Sequence, residues 1–254
     1  MKINVEEIKS YIKKPSYPIY VFDRVSSTNA VAWNLMKKKE LGFFVIIASE
    51  QTKGKGQWGR DWCSLPGGLY LSIGCELKIA AKNASHITLF SAWSIANKLR
   101  NYQLPVKLKW PNDLVIEHQK LGGIKSEIKI RDNIITQGII GIGINWSNMV
   151  PENGINLQSY QHRIISIEHL AAIVIEAIIS GYQYYLVSGI EVLLKNYMEI
   201  LDGIGYKTII KNFEGIISGV NSEGNLEISS QVSKTMTTIN LYSGAISLGY
   251  SSRF

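Results

Sequence analysis

The chain has 254 residues, of which 46% are apolar, and this composition excludes a disordered protein and allows a sizeable buried core. Its 27 lysines and arginines outnumber 20 acidic residues, so a net charge of +7 favours anionic partners without distinguishing nucleotides, nucleic acid and acidic proteins. Two cysteines, Cys63 and Cys75, are too few for a disulfide framework and lack a metal-site spacing, which fits a cytosolic protein with reduced thiols.

The first predicted elements are a strand and a helix. IYVFDRV (19–25) is typical of a strand, and SSTNAVAWNLMKKK predicts a helix that Ser27 or a neighbour can cap. FFVIIASE and GGLYLSIGCEL predict two more strands, one on each side of a glycine-rich loop. The loop is therefore expected to connect strand to strand. The amino terminus lacks the apolar region of a signal peptide, and no membrane span is expected.

The middle of the chain predicts a sheet and more helices. SHITLFSAWSIANKLRNY predicts a helix with Ser85 as its cap. VKLKW, a hairpin DLVIEHQKLGGIKSEIKI that turns near residues 118–120, and NIITQGIIGIGINW predict strands of a central mixed or antiparallel sheet. Residues 166–202 predict two helices. From about residue 205, short β-type runs and turns such as NSEGN predict a small all-β terminal domain.

The segment EQTKGKGQWGRDW (50–62) contains three glycines between cationic and polar residues. Consecutive backbone N–H groups in such a loop can bind an anion, and glycine lets the main chain approach a phosphate or carboxylate closely. Taken alone, the pattern is equally typical of an ordinary surface loop. It lacks the strand-to-helix context of a dinucleotide-binding fingerprint, and the P-loop pattern is absent from the sequence.

Other segments with polar residues have structural explanations when each is considered singly. KWPND (109–113) fits a strand closed by a turn, and KLGGIKSE (120–127) fits a hairpin with a solvated lysine. GIGIN (141–145) fits a close-packed central strand, and STN (27–29) fits a helix cap.

In combination, however, STN, EQTKGKGQWGRDW, KWPNDL, KLGGIKSE and GIGIN, in this order and spacing, resemble the biotin protein ligases. The resemblance covers about residues 20–148, and FEGIISGVNSEGNLEI with the later GAISL is similar to that family's small SH3-like domain. It implies an α+β fold, in which a mixed β-sheet flanked by helices, of the class II synthetase-like type, precedes a C-terminal SH3-like β-barrel. The expected boundaries are a catalytic domain at 1–203 and an SH3-like domain at 204–254.

The resemblance implies an ATP-dependent ligase that joins biotin to one lysine of a biotin carboxyl carrier protein. Biotin and ATP first give biotinyl-5′-AMP and pyrophosphate, and the carrier lysine then attacks this mixed anhydride. The two reactants of the first step are anionic, so cations, including Mg²⁺, are expected around the reacting centre. This requirement explains a cationic glycine-rich loop, which the resemblance implies folds over the adenylate and excludes water.

The resemblance also implies roles for individual residues. Lys120, expected at the biotin carboxylate and α-phosphate, and Arg60, expected at phosphate, are the candidate catalytic residues. The candidate biotin-binding residues are Ser27, Thr28, Asn29, Gln51, Lys55, Gly56, Gln57, Lys120, Gly122 and Gly123. The candidate nucleotide-binding residues are Gly54, Lys55, Gly56, Gln57, Arg60, Trp62, Asn112, Asp113, Lys120 and Asn145. Asp113 is the candidate ligand of Mg²⁺.

The chain departs from the family in two places. The family loop usually reads G-R-G-R-x-G-R, whereas Lys55 and Gln57 stand here at its first two arginine positions. Only about 25 residues precede STN, too few for the DNA-binding winged helix of some members, so no specific DNA binding is expected.

Two alternatives belong to other functional classes: a lipoyl or octanoyl transferase of the same fold, and a nucleic-acid-binding module without enzymatic activity. KWPND and GKGQWGR favour biotin, and the cationic residues form no long basic stripe of the kind that binds nucleic acid. The expected partner is the carrier protein of acetyl-CoA carboxylase. The sequence is compatible with a monomer and with a homodimer joined at a sheet edge.

Overall fold

A computed structural model of the chain describes residues 2–13, 15–38, 42–210, 213–232 and 235–243. The elements in this part of the chain are α1 (Val5–Tyr11), β1 (Ile19–Val25), α2 (Thr28–Lys38), β2 (Phe43–Gln51), β3 (Leu69–Ala80), α3 (Ala84–Asn101), β4 (Lys107–Lys109), β5 (Asp113–Ile116), β6 (Gln119–Arg131), β7 (Ile134–Ile144), α4 (Ile167–Glu199), β8 (Lys207–Ile210), β9 (Phe213–Val220), β10 (Leu226–Val232) and β11 (Thr235–Leu241). The GAISL segment (244–248) lies outside the described residues.

A seven-stranded mixed sheet forms the centre, with strand order β1-β2-β3-β7-β6-β5-β4. Strands β1 and β2 are parallel, and the other neighbouring pairs are antiparallel. Helix α2 covers one face through a small core cluster with β2 and β7, while α1, α3 and α4 cover the other through the main core. Because both faces are covered, β2 and β3 are long buried apolar runs. The predicted mixed sheet flanked by helices is confirmed.

Helix α4 is interrupted at Gly189, whose backbone has φ 76° and therefore lies outside the helical region. Two helical segments result, as the sequence predicted for residues 166–202. By length and composition α4 could cross a membrane, but half of its most apolar window is buried, and it packs against α1 and α3. This burial is typical of the core helix of a soluble protein.

The terminal strands form a second, four-stranded antiparallel sheet in the order β11-β10-β9-β8, which confirms the predicted small β structure. Its turn between β9 and β10 contacts the rest of the protein through backbone oxygens. Ser85 Oγ donates to Glu223 O at 2.6 Å, and Trp110 Nε1 donates to Gly224 O at 3.0 Å. The division of the chain at residue 204 stays a prediction.

One local prediction is wrong and another is displaced. Ser85 does not cap α3, because Asn83 is the N-cap residue and the Ser85 hydroxyl donates instead to Glu223 O in the β9–β10 turn. The predicted β5–β6 hairpin is present, but it turns at Glu117 and His118, both with positive φ, so Lys120 lies within strand β6 and not in the turn.

Candidate active site

A cavity, partly open to solvent, lies where the start of α2, the glycine-rich loop and strands β4 to β7 meet. Most of the residues predicted from the sequence line it. They are Ser27, Thr28, Asn29, Gln51, Lys55, Gly56, Gln57, Arg60, Trp62, Asn112, Asp113, Lys120 and Gly123. Residues up to 116 positions apart in the sequence, from Ser27 to Gly143, therefore share one cavity.

Three predicted site residues do not line this cavity. The Asn145 side chain faces inward, where Nδ2 donates to Ile155 O at 3.1 Å and Oδ1 accepts from Asn148 Nδ2 at 3.0 Å. A Cβ on Gly54 would collide with Ser64 Oγ, and one on Gly122 would collide with Gly143 O. These two glycines therefore serve close packing in the structure.

One end of the cavity is neutral and richly hydrogen-bonded. Thr28 N donates to Gln51 Oε1 at 2.8 Å, and Gln51 Nε2 donates to Ser64 Oγ at 2.8 Å. The fully buried Ser72 Oγ lies 2.7 Å from both Thr28 Oγ1 and Asn29 Oδ1. This end fixes several donors and acceptors in place, as recognition of a neutral polar group requires.

The sequence reasoning missed Ser72, although one signal was present. It is a lone hydroxyl within the apolar strand LYLSIG, and a buried polar group needs a hydrogen-bonding partner. Two positions of the neighbouring strand β7 are glycines that leave room for cavity-lining side chains: a Cβ on Gly141 would collide with Asn29, and one on Gly143 would collide with Trp62.

The other end of the cavity is cationic. Lys120 Nζ lies 2.7 Å from Asp113 Oδ1 and 5.3 Å from the centroid of the Trp62 ring. Five cationic side chains but only two carboxylates line the cavity as a whole, namely Lys55, Arg60, Lys109, Lys120 and Lys125 against Asp61 and Asp113. The excess of positive charge favours an anionic ligand.

Two further lysines line the cavity that were not among the predicted site residues: Lys109, in the KWPND motif, and Lys125, in the KLGGIKSE motif. The pKa of Lys109 is lowered to about 8, mainly by burial; the charges of Asp113 and Asp202 act in the opposite direction, and the charge of Lys120 acts in the same direction as burial. Because this pKa is lowered, a bound anion can shift the Lys109 side chain toward its protonated form.

The glycine-rich loop forms a small hairpin. Gly56 N donates to Arg60 O at 2.7 Å, Trp62 N donates to Gly54 O at 3.0 Å, and Lys55 pairs with Asp61 at 2.5 Å. Trp58 and Gly59 make the turn with φ values of 58° and 75°.

Two polar atoms of this loop are buried without hydrogen-bond partners among the described residues: Gln57 Oε1 and Trp62 Nε1. Both belong to residues that line the cavity. Because an unsatisfied buried polar group costs free energy, these atoms are suited to a ligand that supplies one donor and one acceptor.

Comparisons with known proteins show which sequences and folds this chain is similar to. Residues 21–145 match the biotin/lipoate A/B protein ligase family. The bifunctional ligase/repressor BirA of Escherichia coli (strain K12) is 30% identical over 219 residues, which cover 82% of this chain and 68% of the relative. The biotin–[acetyl-CoA-carboxylase] ligase of Paracoccus denitrificans is 28% identical over 134 residues, covering 52% of this chain and 55% of the relative.

Among solved structures, the biotin protein ligase from Aquifex aeolicus in complex with biotin and ATP superposes with a TM-score of 0.69 at 22% identity. The match covers 87% of this chain and 95% of that one, so the two proteins share their fold.

Proposed function

The chain belongs to the biotin/lipoate A/B protein ligase family, and we propose that it is a biotin protein ligase. It activates biotin with ATP to biotinyl-5′-AMP, releases pyrophosphate, and transfers the biotinyl group to a lysine of biotin carboxyl carrier protein. One observation supports this most: a single cavity joins the neutral polar end around Thr28 and Asn29 to the cationic end around Lys120. The neutral ring of biotin fits the polar end, and the carboxylate of biotin and the triphosphate of ATP fit the cationic end.

In the first step the biotin carboxylate attacks the α-phosphorus of ATP, and the bond to pyrophosphate breaks with its electron pair. Both reactants are anionic, so their approach requires positive charge at the reacting centre. Lys120 supplies a point charge there, and Asp113 holds its ammonium group at 2.7 Å. Arg60, exposed on the loop hairpin, offers a guanidinium fork that suits a phosphate.

In the second step the neutral amine of the carrier lysine attacks the biotinyl carbonyl, loses its proton, and displaces AMP. Both nucleophiles come from substrates, so the chain needs only to orient them, stabilise charge and exclude water. The loop hairpin of residues 54–62 forms one wall of the cavity, where closure over the adenylate protects it from hydrolysis.

We further propose that the reaction uses Mg²⁺ and that Asp113 contacts the ion. The described residues contain no group of three or more potential metal ligands. Mg²⁺ is usually bound through one or two carboxylates together with substrate phosphates and water, so one carboxylate, that of Asp113, suffices for an ion that ATP brings with it. When bound, the ion neutralises phosphate charge.

The acceptor that we propose is the biotin carboxyl carrier protein of acetyl-CoA carboxylase, in the cytosol. A relative from Paracoccus denitrificans is named for that acceptor, and two free cysteines fit a reducing compartment. The net charge of +7 suits an acidic carrier domain.

Lipoate is the second candidate substrate, because the matching family includes lipoate ligases. The dithiolane ring of lipoate has neither N–H nor C=O groups, so it cannot use the hydrogen-bonding capacity that Thr28, Asn29 and Gln51 retain beside their contacts within the protein. A site that hydrogen-bonds its substrate discriminates against an analogue without those groups, and this difference favours biotin.

Pyrophosphate exchange into ATP, measured with biotin, with lipoate and with neither acid, tests the proposal. We expect exchange that depends on biotin and on Mg²⁺. Replacing Lys120 by Ala should slow exchange about 30-fold to 1000-fold, since one contact to the developing charge contributes about 2 to 4 kcal/mol. Lys53→Ala, an exposed lysine of the same loop that does not line the cavity, is the matched control and should change little. A folded protein without biotin-dependent exchange would refute the assignment.

A further inference from the structure

Glu127 lies on β6 just behind the cavity lining and accepts three hydrogen bonds. Asn29 Nδ2 donates to its Oε1 at 2.9 Å, and Trp33 Nε1 donates to its Oε2 at 2.7 Å. Lys125 Nζ lies 3.2 Å from Oε1. Both carboxylate oxygens are therefore engaged by donors from helix α2, and one also by a neighbour on the same strand.

This carboxylate is ionised at neutral pH. Burial alone would raise the pKa of Glu127, but the hydrogen bonds from Asn29, Trp33 and Lys125, together with the charge of Lys125, outweigh burial and lower it. An ionised carboxylate can only accept hydrogen bonds. The group that faces it from Asn29 must therefore be the NH₂ end of the carboxamide.

The orientation of the Asn29 carboxamide follows from this. With Nδ2 held by Glu127, Oδ1 points to the Ser72 hydroxyl at 2.7 Å and lies over Gly141 of β7, where no side chain intervenes. A carbonyl oxygen has two lone pairs, and Ser72 can use only one of them. Asn29 thus presents an acceptor to the cavity that it lines.

We propose that Glu127 is a positioning residue for biotin recognition: it locks the Asn29 carboxamide so that Oδ1 accepts from an N–H of the cyclic urea. This inference rests on the proposed function, because it concerns the ring end of the same acid. Without the carboxylate the carboxamide is free to turn over and present NH₂ to a ring N–H, a contact between two donors.

Glu127→Gln is the first test, since the shape is kept while the charge and the strict acceptor character are lost. The KM for biotin in pyrophosphate exchange, and the Kd by calorimetry, should rise about tenfold or more, because a buried ring N–H that faces another donor is left without a hydrogen bond. The KM for ATP, kcat and Tm should stay near wild-type values. If Glu127 only stabilised the fold, the substitution would instead lower Tm and weaken the binding of biotin and of ATP equally.

The double variant Asn29→Asp, Glu127→Gln provides the matched rescue. The amide introduced at position 127 can donate to the carboxylate introduced at position 29, which restores an acceptor oxygen toward the cavity and toward Ser72. The double variant should bind biotin more tightly than either single variant, since Asn29→Asp alone places two carboxylates side by side.

Three outcomes would overturn the inference: wild-type biotin affinity in Glu127→Gln, equal losses for biotin and ATP, or no recovery in the double variant. Failure of the wild-type protein to bind biotin at all would be a separate result, which overturns the proposed function itself.

Discussion

At the scale of single residues, Gln57 is the position where the chain differs most from the arginine-rich loop that its family usually carries. Its Nε2 donates to Ile124 O at 3.4 Å, a long hydrogen bond, and its Oε1 has no partner among the described residues. Glutamine offers two donors and no charge, whereas arginine offers five donors and a permanent charge. The side chain thus reaches the cavity without contributing to its positive charge.

We predict that Gln57→Arg slows release of biotinyl-5′-AMP. Replacing a neutral hydrogen bond by a contact between guanidinium and phosphate should stabilise the complex by about 1 to 2 kcal/mol, a factor of about 5 to 30 in the off-rate. The measurement is release of preformed adenylate after dilution. Thr52→Arg adds the same charge at an exposed position outside the cavity lining and should leave release unchanged. Equal or faster release from Gln57→Arg would show that Lys55 or Trp58, which also line the cavity, already compensates.

Lys109 gives a prediction about protons. Its pKa of about 8, depressed mainly by burial, means that folding disfavours its charged form, so the free energy of unfolding rises between pH 8 and its ordinary pKa of 10.5. A bound phosphate anion stabilises the ammonium and raises this pKa. We therefore expect net proton uptake when ATP binds at pH 8, detected by calorimetry in two buffers with different ionisation enthalpies.

Lys109→Arg is the control for this proton uptake, because arginine stays charged throughout this pH range. The variant should still bind ATP but without uptake at pH 8. The same uptake in wild type and variant would assign the proton to another group.

At the scale of elements, the sequence predicted what local periodicity determines. The strands 19–25 and 134–144 and the break in α4 follow from alternation, apolar runs and a glycine. The prediction that Ser85 caps α3 was wrong because the Ser85 hydroxyl donates to Glu223 O, which is distant in the sequence. Contacts with Asn148 and Ile155 likewise turn the Asn145 side chain inward, and its role in nucleotide binding stays a prediction. Glu127 stands in the KLGGIKSE motif, but its contacts with Asn29 and Trp33, more than 90 positions away, cannot be inferred from the sequence.

The glycine-rich loop yields a matched pair of substitutions. A Cβ on Gly54 would collide with Ser64 Oγ and Trp62 O, whereas one on Gly56 would lie 3.6 Å from the nearest atom, Arg60 O. Gly54→Ala should therefore lower the free energy of unfolding by about 1 to 3 kcal/mol, seen as a lower Tm. Gly56→Ala should leave Tm unchanged, but it should weaken the binding of biotin and ATP if the main chain at residue 56 contacts these ligands. The reverse pattern of Tm changes would contradict the role of Gly54 in packing.

At the scale of the whole molecule, the terminal sheet and the cavity are directly connected. The β9–β10 turn accepts a hydrogen bond from Trp110 through Gly224 O, and Trp110 is the second residue of the KWPND motif that lines the cavity. Nε2 of the buried residue His86 lies 2.7 Å from Ser222 O of the same turn. Sequence patterns contain no signal for such contacts, which join residues more than 110 positions apart.

The charge of the molecule gives the last prediction. The protein has a net charge of +7, and five cationic side chains against two carboxylates line its cavity. This charge should attract an acidic carrier domain at long range, and dissolved salt should weaken the attraction. We expect kcat/KM for the transfer of biotin to such a carrier to fall about tenfold from low to high ionic strength, because electrostatic steering acts mainly on association. The measurement is transfer from preformed adenylate, so that the salt dependence of ATP binding does not enter. A carrier whose surface carboxylates are replaced by amides should start from the lower rate and respond little to salt. If both carriers show the same dependence, contacts made after encounter, and not long-range attraction, determine how fast the carrier is used.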